Sequence, residues 1–115
     1  PKIGDFKNFT ELCGDVLFSR KAINLRGYDL AKLGTASSDY VIIASGTSKR
    51  QTQSLGESLT KEVKNQYGLS PLSIEGMEEG RWVLIDYGQL IIHLFYDYVR
   101  MEYNLESLWK NGVDM

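Results

Sequence analysis

The first twenty residues carry their apolar side chains at spacings of three and four, the period of a helix with one buried face. Residues 5–19 are therefore predicted to form an amphipathic helix. Its apolar stripe consists of Phe6, Phe9, Leu12, Cys13, Val16 and Leu17. Because Cys13 lies on this stripe, we expect its thiol to be a buried packing group rather than a reactive one.

The pattern then changes to that of strands. Residues 21–30 alternate weakly between apolar and polar side chains, which predicts a strand with one solvated face. A polar loop over residues 34–38 follows. Residues 39–45 form a mostly apolar run, which predicts a strand that is buried on both faces and lies centrally in its sheet.

A second helix is predicted to begin near Lys49, because Thr47 and Ser48 are both suitable N-cap residues. Gly68 follows Tyr67 and is of the residue type that favours a left-handed helix end. The inward stripe of this helix recurs at a spacing of four, at Leu55, Leu59 and Val63.

The last third of the chain predicts three strands and a helix. Residues 72–75 predict a short strand, and residues 82–86 and 90–95 predict a hairpin. The turn between the hairpin strands contains Gly88, where we expect a positive φ. The final helix is predicted over residues 97–110.

These elements follow the order α-β-β-α-β-β-β-α and predict one domain over residues 1–115. The helix between the second and third strands predicts that those two strands run parallel. The fold class is therefore α/β (α+β), with a mixed sheet of about five strands flanked by helices.

Composition is that of an ordinary globular protein, with 43% apolar and 24% charged residues among 115. No apolar run approaches the roughly 20 residues that span a bilayer, and no signal peptide is recognisable. A single cysteine excludes an internal disulfide and suits a reducing compartment. We therefore expect a cytoplasmic protein with no membrane partner.

The charge is unevenly distributed along the chain. Residues 1–69 carry ten basic and seven acidic side chains, whereas residues 70–115 carry three basic and eight acidic ones. The acidic part should be repelled by a nucleic-acid backbone and attracted to a basic protein. This argues against sequence-specific nucleic-acid binding, although an acidic face that only keeps the protein soluble has the same composition.

The sequence offers no recognisable catalytic set. With one His and one Cys, a zinc site of three or four ligands is not expected, and we expect no other metal or cofactor. Glu75 and Asp86 are each the last residue of a predicted strand, but neither belongs to the paired carboxylates that two-metal chemistry needs. His93 lies in an apolar strand, where a lone His is more often a hydrogen-bonded residue of the sheet.

The turn Gly46-Thr47-Ser48 is the main candidate for chemistry. Backbone N–H groups at a helix N-terminus bind anions, and Lys49 and Arg50 add positive charge. The Gly-rich phosphate-binding motifs are absent. A nucleotide-binding or remnant enzyme therefore remains the alternative function.

A partner-binding surface in the last third is the main prediction, because Trp, Tyr and Arg dominate protein interfaces. Whether Trp82 belongs to this surface or to the core is left open by the sequence, whereas Trp109 favours the core. The candidate partner-binding residues are Trp82, Asp86, Tyr87, Arg100, Tyr103 and Glu106.

A set of residues that follow one another in a fixed order resembles a known family and spans roughly residues 20–110. They are Asp39-Tyr40, Gly46-Thr47-Ser48, Arg50-Gln51, Pro71-Leu72, Glu75-Gly76, Trp82, Asp86-Tyr87-Gly88, His93, Arg100, Tyr103, Leu105-Glu106 and Leu108-Trp109. Together they resemble the Iojap-type ribosomal silencing factors (the RsfS family).

The resemblance implies a fold like that of nucleotidyltransferases without their catalytic carboxylates. It also implies a non-enzymatic protein that binds the large ribosomal subunit at ribosomal protein L-fourteen and blocks subunit joining. The family usually has an acidic residue where this chain has Gln89. A homodimer of the free protein is also expected, since exposed apolar groups can pair with themselves.

Overall fold

The computed structural model describes residues 6–30, 38–103 and 113–114. The helices are α1 (Phe6–Ser19), α2 (Lys49–Tyr67) and α3 (Asp97–Tyr103). The strands are β1 (Ile23–Asp29), β2 (Tyr40–Gly46), β3 (Ser73–Glu75), β4 (Trp82–Asp86), β5 (Leu90–Tyr96) and β6 (Val113–Asp114).

The strands form one mixed sheet in the order β3-β4-β5-β2-β1-β6. β2 pairs with β5 in parallel, and the other four pairings are antiparallel. The five predicted strands and the α+β class are confirmed, and the two-residue β6 adds an edge strand that the sequence did not predict. β2 has a neighbour on each side, as its continuous apolar run predicts.

The predicted parallel direction of the second and third strands is also confirmed, but these strands are not neighbours. β3 lies at the edge of the sheet, and its direction follows from two successive antiparallel pairings to β5. The strand that pairs with β2 is β5, because the hairpin of β4 and β5 returns the chain to the centre of the sheet.

α1 and α2 cover one face of the sheet, which we call the first face. Phe9, Cys13 and Leu17 of α1 and Leu55, Leu59 and Val63 of α2 are all buried there. They pack on inward side chains of three strands: Ile42, Ala44, Val83, Ile85, Ile92 and Leu94. The predicted stripe of α2 and the predicted burial of Cys13 are therefore confirmed, as is the stripe of α1 apart from Phe6, whose side chain lies outside the described residues. Burial raises the pKa of the Cys13 thiol to about 12, so this thiol stays protonated and unreactive.

The opposite face, the second face, carries a smaller core against α3. Tyr28, Val41, Ile43, Phe95 and Val99 form it, and Trp82 packs at its margin. α3 packs on β5 and β2. It is described as far as Tyr103, so residues 104–110 of the predicted final helix lie outside the described residues.

Local signals set both ends of α2. The Ser48 hydroxyl accepts a hydrogen bond from the Gln51 N–H, which makes Ser48 the N-cap. Gly68 ends the helix in the left-handed conformation, with φ of 65°, and its N–H donates to the Lys64 carbonyl. Both caps are among those that the sequence predicts.

Candidate functional site

One end of the second face is partly open in the described structure. Register places Trp82, Leu84 and Asp86 of β4 on this face, beside Ile91 of β5 and Glu75 of β3. Glu75 is exposed and the other four side chains are half-buried. These five residues are called the Trp82 surface below. It combines apolar area with two carboxylates.

Trp82 is held on one side and open on the other. Its ring stacks on Phe95, with centroids 5.1 Å apart and planes at 26°. The indole N–H donates to Nδ1 of His93 at 3.1 Å. A depression of about 310 Å³ lies beside the ring, lined by Glu75, Gly76, Trp82 and Leu84. Trp82 therefore belongs to the margin of the core and to the surface at once.

Gly76 brings the β3–β4 connection close to Trp82. Its φ of +80° is in the left-handed region. A Cβ at this position would lie 2.0 Å from the Trp82 carbonyl oxygen, which no side chain allows. The glycine therefore fixes how the connection passes the start of β4.

His93 is the residue behind Trp82. It is 8% exposed, lies between Ile43 and Leu84 in the sheet and stacks near Phe95. Burial lowers the pKa of the imidazole from 6.5 to about 4, so the ring is neutral at physiological pH. The prediction of a hydrogen-bonded residue of the sheet is confirmed.

Asp86 shapes the hairpin turn. One carboxylate oxygen, Oδ1, accepts a hydrogen bond from the Gly88 N–H at 2.7 Å. Gly88 has φ of +91°, as predicted for the turn. Gln89 in the same turn is exposed, so any ion pair made by an acidic residue at this position would be solvent-exposed and worth about 0–1 kcal/mol.

Tyr87 requires a correction, because it is not part of the exposed surface. Its ring is 6% exposed, lies on the first face and meets Phe9 edge to face at 5.4 Å. The hydroxyl is buried and has no hydrogen-bond partner among the described residues. Burial, with a smaller contribution from Cys13, raises the pKa of the phenol. Since side chains alternate along a strand, Tyr87 follows Val83 and Ile85 to the first face.

Arg100 also lies inside the protein, where it is 6% exposed. Its guanidinium donates to the Asn24 carbonyl and, at 3.0 Å, to the Ser45 hydroxyl. Asn24 has φ of 52° at the irregularity in the β1–β2 pairing, and its side-chain amide donates to Asp97 at 3.2 Å. These contacts place the Arg100 guanidinium inside the fold and not on the exposed surface.

The remaining candidates lie at or beyond the end of α3. Tyr103 is the last described residue of α3, and its side chain is outside the described residues, as are Glu106 and Trp109. Sequence reasoning missed Tyr98 and Met101, which are 72% and 79% exposed on α3. Their spacing of three on one helix face was the signal available.

The Gly46-Thr47-Ser48 turn is occupied by its own side chains. The Thr47 N–H and hydroxyl both donate to Oε1 of Gln51 at 2.6 Å, and the Gln51 N–H donates to Ser48. Donors that a phosphate would use are thus already engaged. Within the described ranges, no three His, Cys, Asp or Glu side chains are grouped so that they would hold a metal ion.

Comparison with known proteins gives a consistent result. The family described as "Ribosomal silencing factor during starvation" matches residues 5–115. The ribosomal silencing factor RsfS of Zymomonas mobilis is 40% identical over 102 residues, covering 89% of this chain and 75% of that protein. RsfS of Halalkalibacterium halodurans is 38% identical over 91 residues, covering 79% and 72%.

A more distant relative and a solved structure extend the likeness. The mouse "Mitochondrial assembly of ribosomal large subunit protein 1" is 37% identical over 73 residues, covering 62% of this chain and 32% of that protein. A crystal structure of a Chromobacterium violaceum protein superposes with a TM-score of 0.84 at 31% identity, covering 91% and 86% of the two chains. None of the described helices is long and apolar enough to cross a membrane.

Proposed function

The chain belongs to the ribosomal silencing factor (RsfS) family, and from that premise we propose that it represses translation by binding the large ribosomal subunit. The contact is with ribosomal protein L-fourteen, and the bound protein blocks the small subunit from joining. The name of the mouse relative, which refers to assembly of the large ribosomal subunit, supports this choice of subunit.

The Trp82 surface is the observation that carries this proposal. Leu84, Ile91 and the open side of Trp82 supply apolar area, and Glu75 and Asp86 supply negative charge. A half-buried aromatic ring with two carboxylates on the same surface suits a basic protein surface with an apolar centre.

Steric exclusion needs affinity and position but no catalytic group. The protein measures 23 Å along its shortest axis. A body of that thickness, bound where two subunits meet, prevents their contact. We therefore propose that the protein is not an enzyme, uses no cofactor and acts in the cytoplasm, where the ribosomes are.

Co-sedimentation with purified large subunits tests the proposal directly. We expect the protein to sediment with large subunits and, in excess, to lower the yield of joined ribosomes. The matched pair of variants is Trp82→Ala and Phe18→Ala, since Phe18 is also an aromatic residue and is 73% exposed, but on α1. Only the Trp82 variant should bind more weakly than the wild type. Absence of binding by the wild type, or unhindered joining at saturation, contradicts the proposal.

The free protein is proposed to form a homodimer through exposed apolar residues. Leu72 is 76% exposed and Ile74 is 41% exposed, and both lie at the β3 edge of the sheet. Edge strands with exposed apolar side chains favour pairing with a second copy. Sedimentation equilibrium of the wild type against Ile74→Lys tests this, and a monomer at every concentration contradicts it.

A further inference from the structure

We infer that His93 is a positioning residue that fixes the Trp82 indole, so that a partner of the Trp82 surface meets an apolar ring and not its N–H group. The inference rests on the proposed function. It assigns His93 a specific contribution to partner binding, although the imidazole itself is 8% exposed.

The hydrogen bond defines the position of the indole. The Trp82 N–H donates to Nδ1 of His93 at 3.1 Å, between neighbouring strands of the sheet. An imidazole accepts at Nδ1 only when it is neutral with its proton on Nε2. The bond therefore selects one orientation of the Trp82 ring and one tautomer of His93.

Ring packing supports the same orientation. The Trp82 ring stacks on Phe95 at 5.1 Å, and the His93 ring lies 6.3 Å from Phe95 in a nearly parallel plane, at 13°. The Phe95 ring therefore packs against both the Trp82 ring and the His93 ring. Rotation of the indole would break the hydrogen bond and the stacking together.

The orientation has a chemical consequence for the partner. An indole N–H that faced solvent would require a hydrogen-bond acceptor from any partner that covered it. Because His93 already accepts this bond, the exposed part of Trp82 is ring carbon, beside the depression lined by Leu84 and Glu75. Such a surface favours an aliphatic side chain, or the stem of a Lys or Arg whose charge meets the carboxylates.

Three variants separate positioning from simple packing. His93→Leu removes the acceptor, and His93→Asn keeps one, because Oδ1 of Asn stands as many bonds from the backbone as Nδ1 of His. Trp82→Phe keeps an aromatic ring and removes the N–H. Each is compared with the wild type by thermal unfolding and by the Kd for purified large subunits, and the two His93 variants also by the ¹H–¹⁵N indole resonance of Trp82.

We expect His93→Leu to shift the indole resonance and to weaken binding about tenfold, the effect of losing one hydrogen bond and freeing one ring. His93→Asn should bind within about threefold of the wild type. Adding His93→Leu to Trp82→Phe should have no further effect on Kd, because the residue acts through the indole N–H.

Several results overturn the inference. Wild-type affinity of His93→Leu does so, as does an effect of equal size in the Trp82→Phe background. An unchanged indole resonance in His93→Leu shows that no such hydrogen bond orients the ring. If the wild type fails to bind large subunits, the proposed function itself fails, whereas equal binding by wild type and all His93 variants defeats only the positioning of Trp82.

Discussion

The two faces of the sheet are built from the same strands but are closed to different extents. On the first face, two helices bury every inward side chain of β4, so that Val83 and Ile85 are fully enclosed. On the second face, Trp82 and Leu84 of the same strand remain half-exposed. The comparison shows how a short strand buries its odd positions in the core and leaves its even positions, which we propose for partner binding, half-exposed.

The largest effect is expected from removing apolar volume on the first face, which the two helices cover. Leu59→Ala should lower the free energy of unfolding by about 3 kcal/mol, because Leu59 is fully buried between α2 and the sheet. The matched variant is Leu84→Ala on the second face, which makes the same chemical change to a half-exposed residue. Urea unfolding should show a much smaller loss for Leu84→Ala. Equal losses would contradict the division between the faces.

The pH dependence of stability sharpens the role of His93. Its pKa is lowered to about 4 by burial, so between pH 6.5 and 4 the unfolded chain binds a proton that the native protein does not. The free energy of unfolding should therefore fall as the pH decreases through this window, by about 3 kcal/mol in total, and not change from this cause above pH 6.5. The difference in the free energy of unfolding between the wild type and His93→Asn should change with pH only in this window. Parallel pH profiles would contradict the lowered pKa.

Trp82→Ala tests whether the second face contributes to partner binding as well as to stability. Binding to large subunits should weaken by about 2 kcal/mol, or about 30-fold. The loss of stability should be below the roughly 3–5 kcal/mol of a fully buried Trp, since one side of the ring is open. Calorimetric unfolding and a binding titration on the same sample measure both. A large fall in melting temperature with unchanged affinity would place Trp82 in the core alone.

Tyr87→Phe is expected to have the smallest effect and the opposite sign. The Tyr87 hydroxyl is buried without a partner among the described residues, so its removal should stabilise the protein by about 1 kcal/mol. Affinity for the large subunit should not change, because the Tyr87 ring is buried on the first face. Reduced affinity in a variant with a raised melting temperature would return Tyr87 to the binding surface.

The sequence predicted those features that depend on neighbouring residues. Ser48, Gly68 and Gly88 act within a few positions of themselves, and the helical stripes and the central strand were clear from local periodicity. These predictions are confirmed because caps, turns and amphipathic periods are set by local geometry.

Features decided by distant contacts were not predictable in the same way. Arg100 bonds to Asn24, 76 residues away, at a place where the β1–β2 register shifts. The pairing of β2 with β5, rather than with β3, likewise depends on how the whole sheet is assembled. Tyr87 is an intermediate case, since strict alternation from Trp82 would have placed it on the first face.

The pairing of β2 with β5 has a consequence for the order of synthesis and folding. It joins residues 40–46 to residues 90–96, so the centre of the sheet is incomplete until residues 90–96 have left the ribosome. Long-range parallel pairing is also slow to form. A newly made copy therefore acquires its proposed ability to act on ribosomes only after residues 90–96 have been synthesised and have paired with β2.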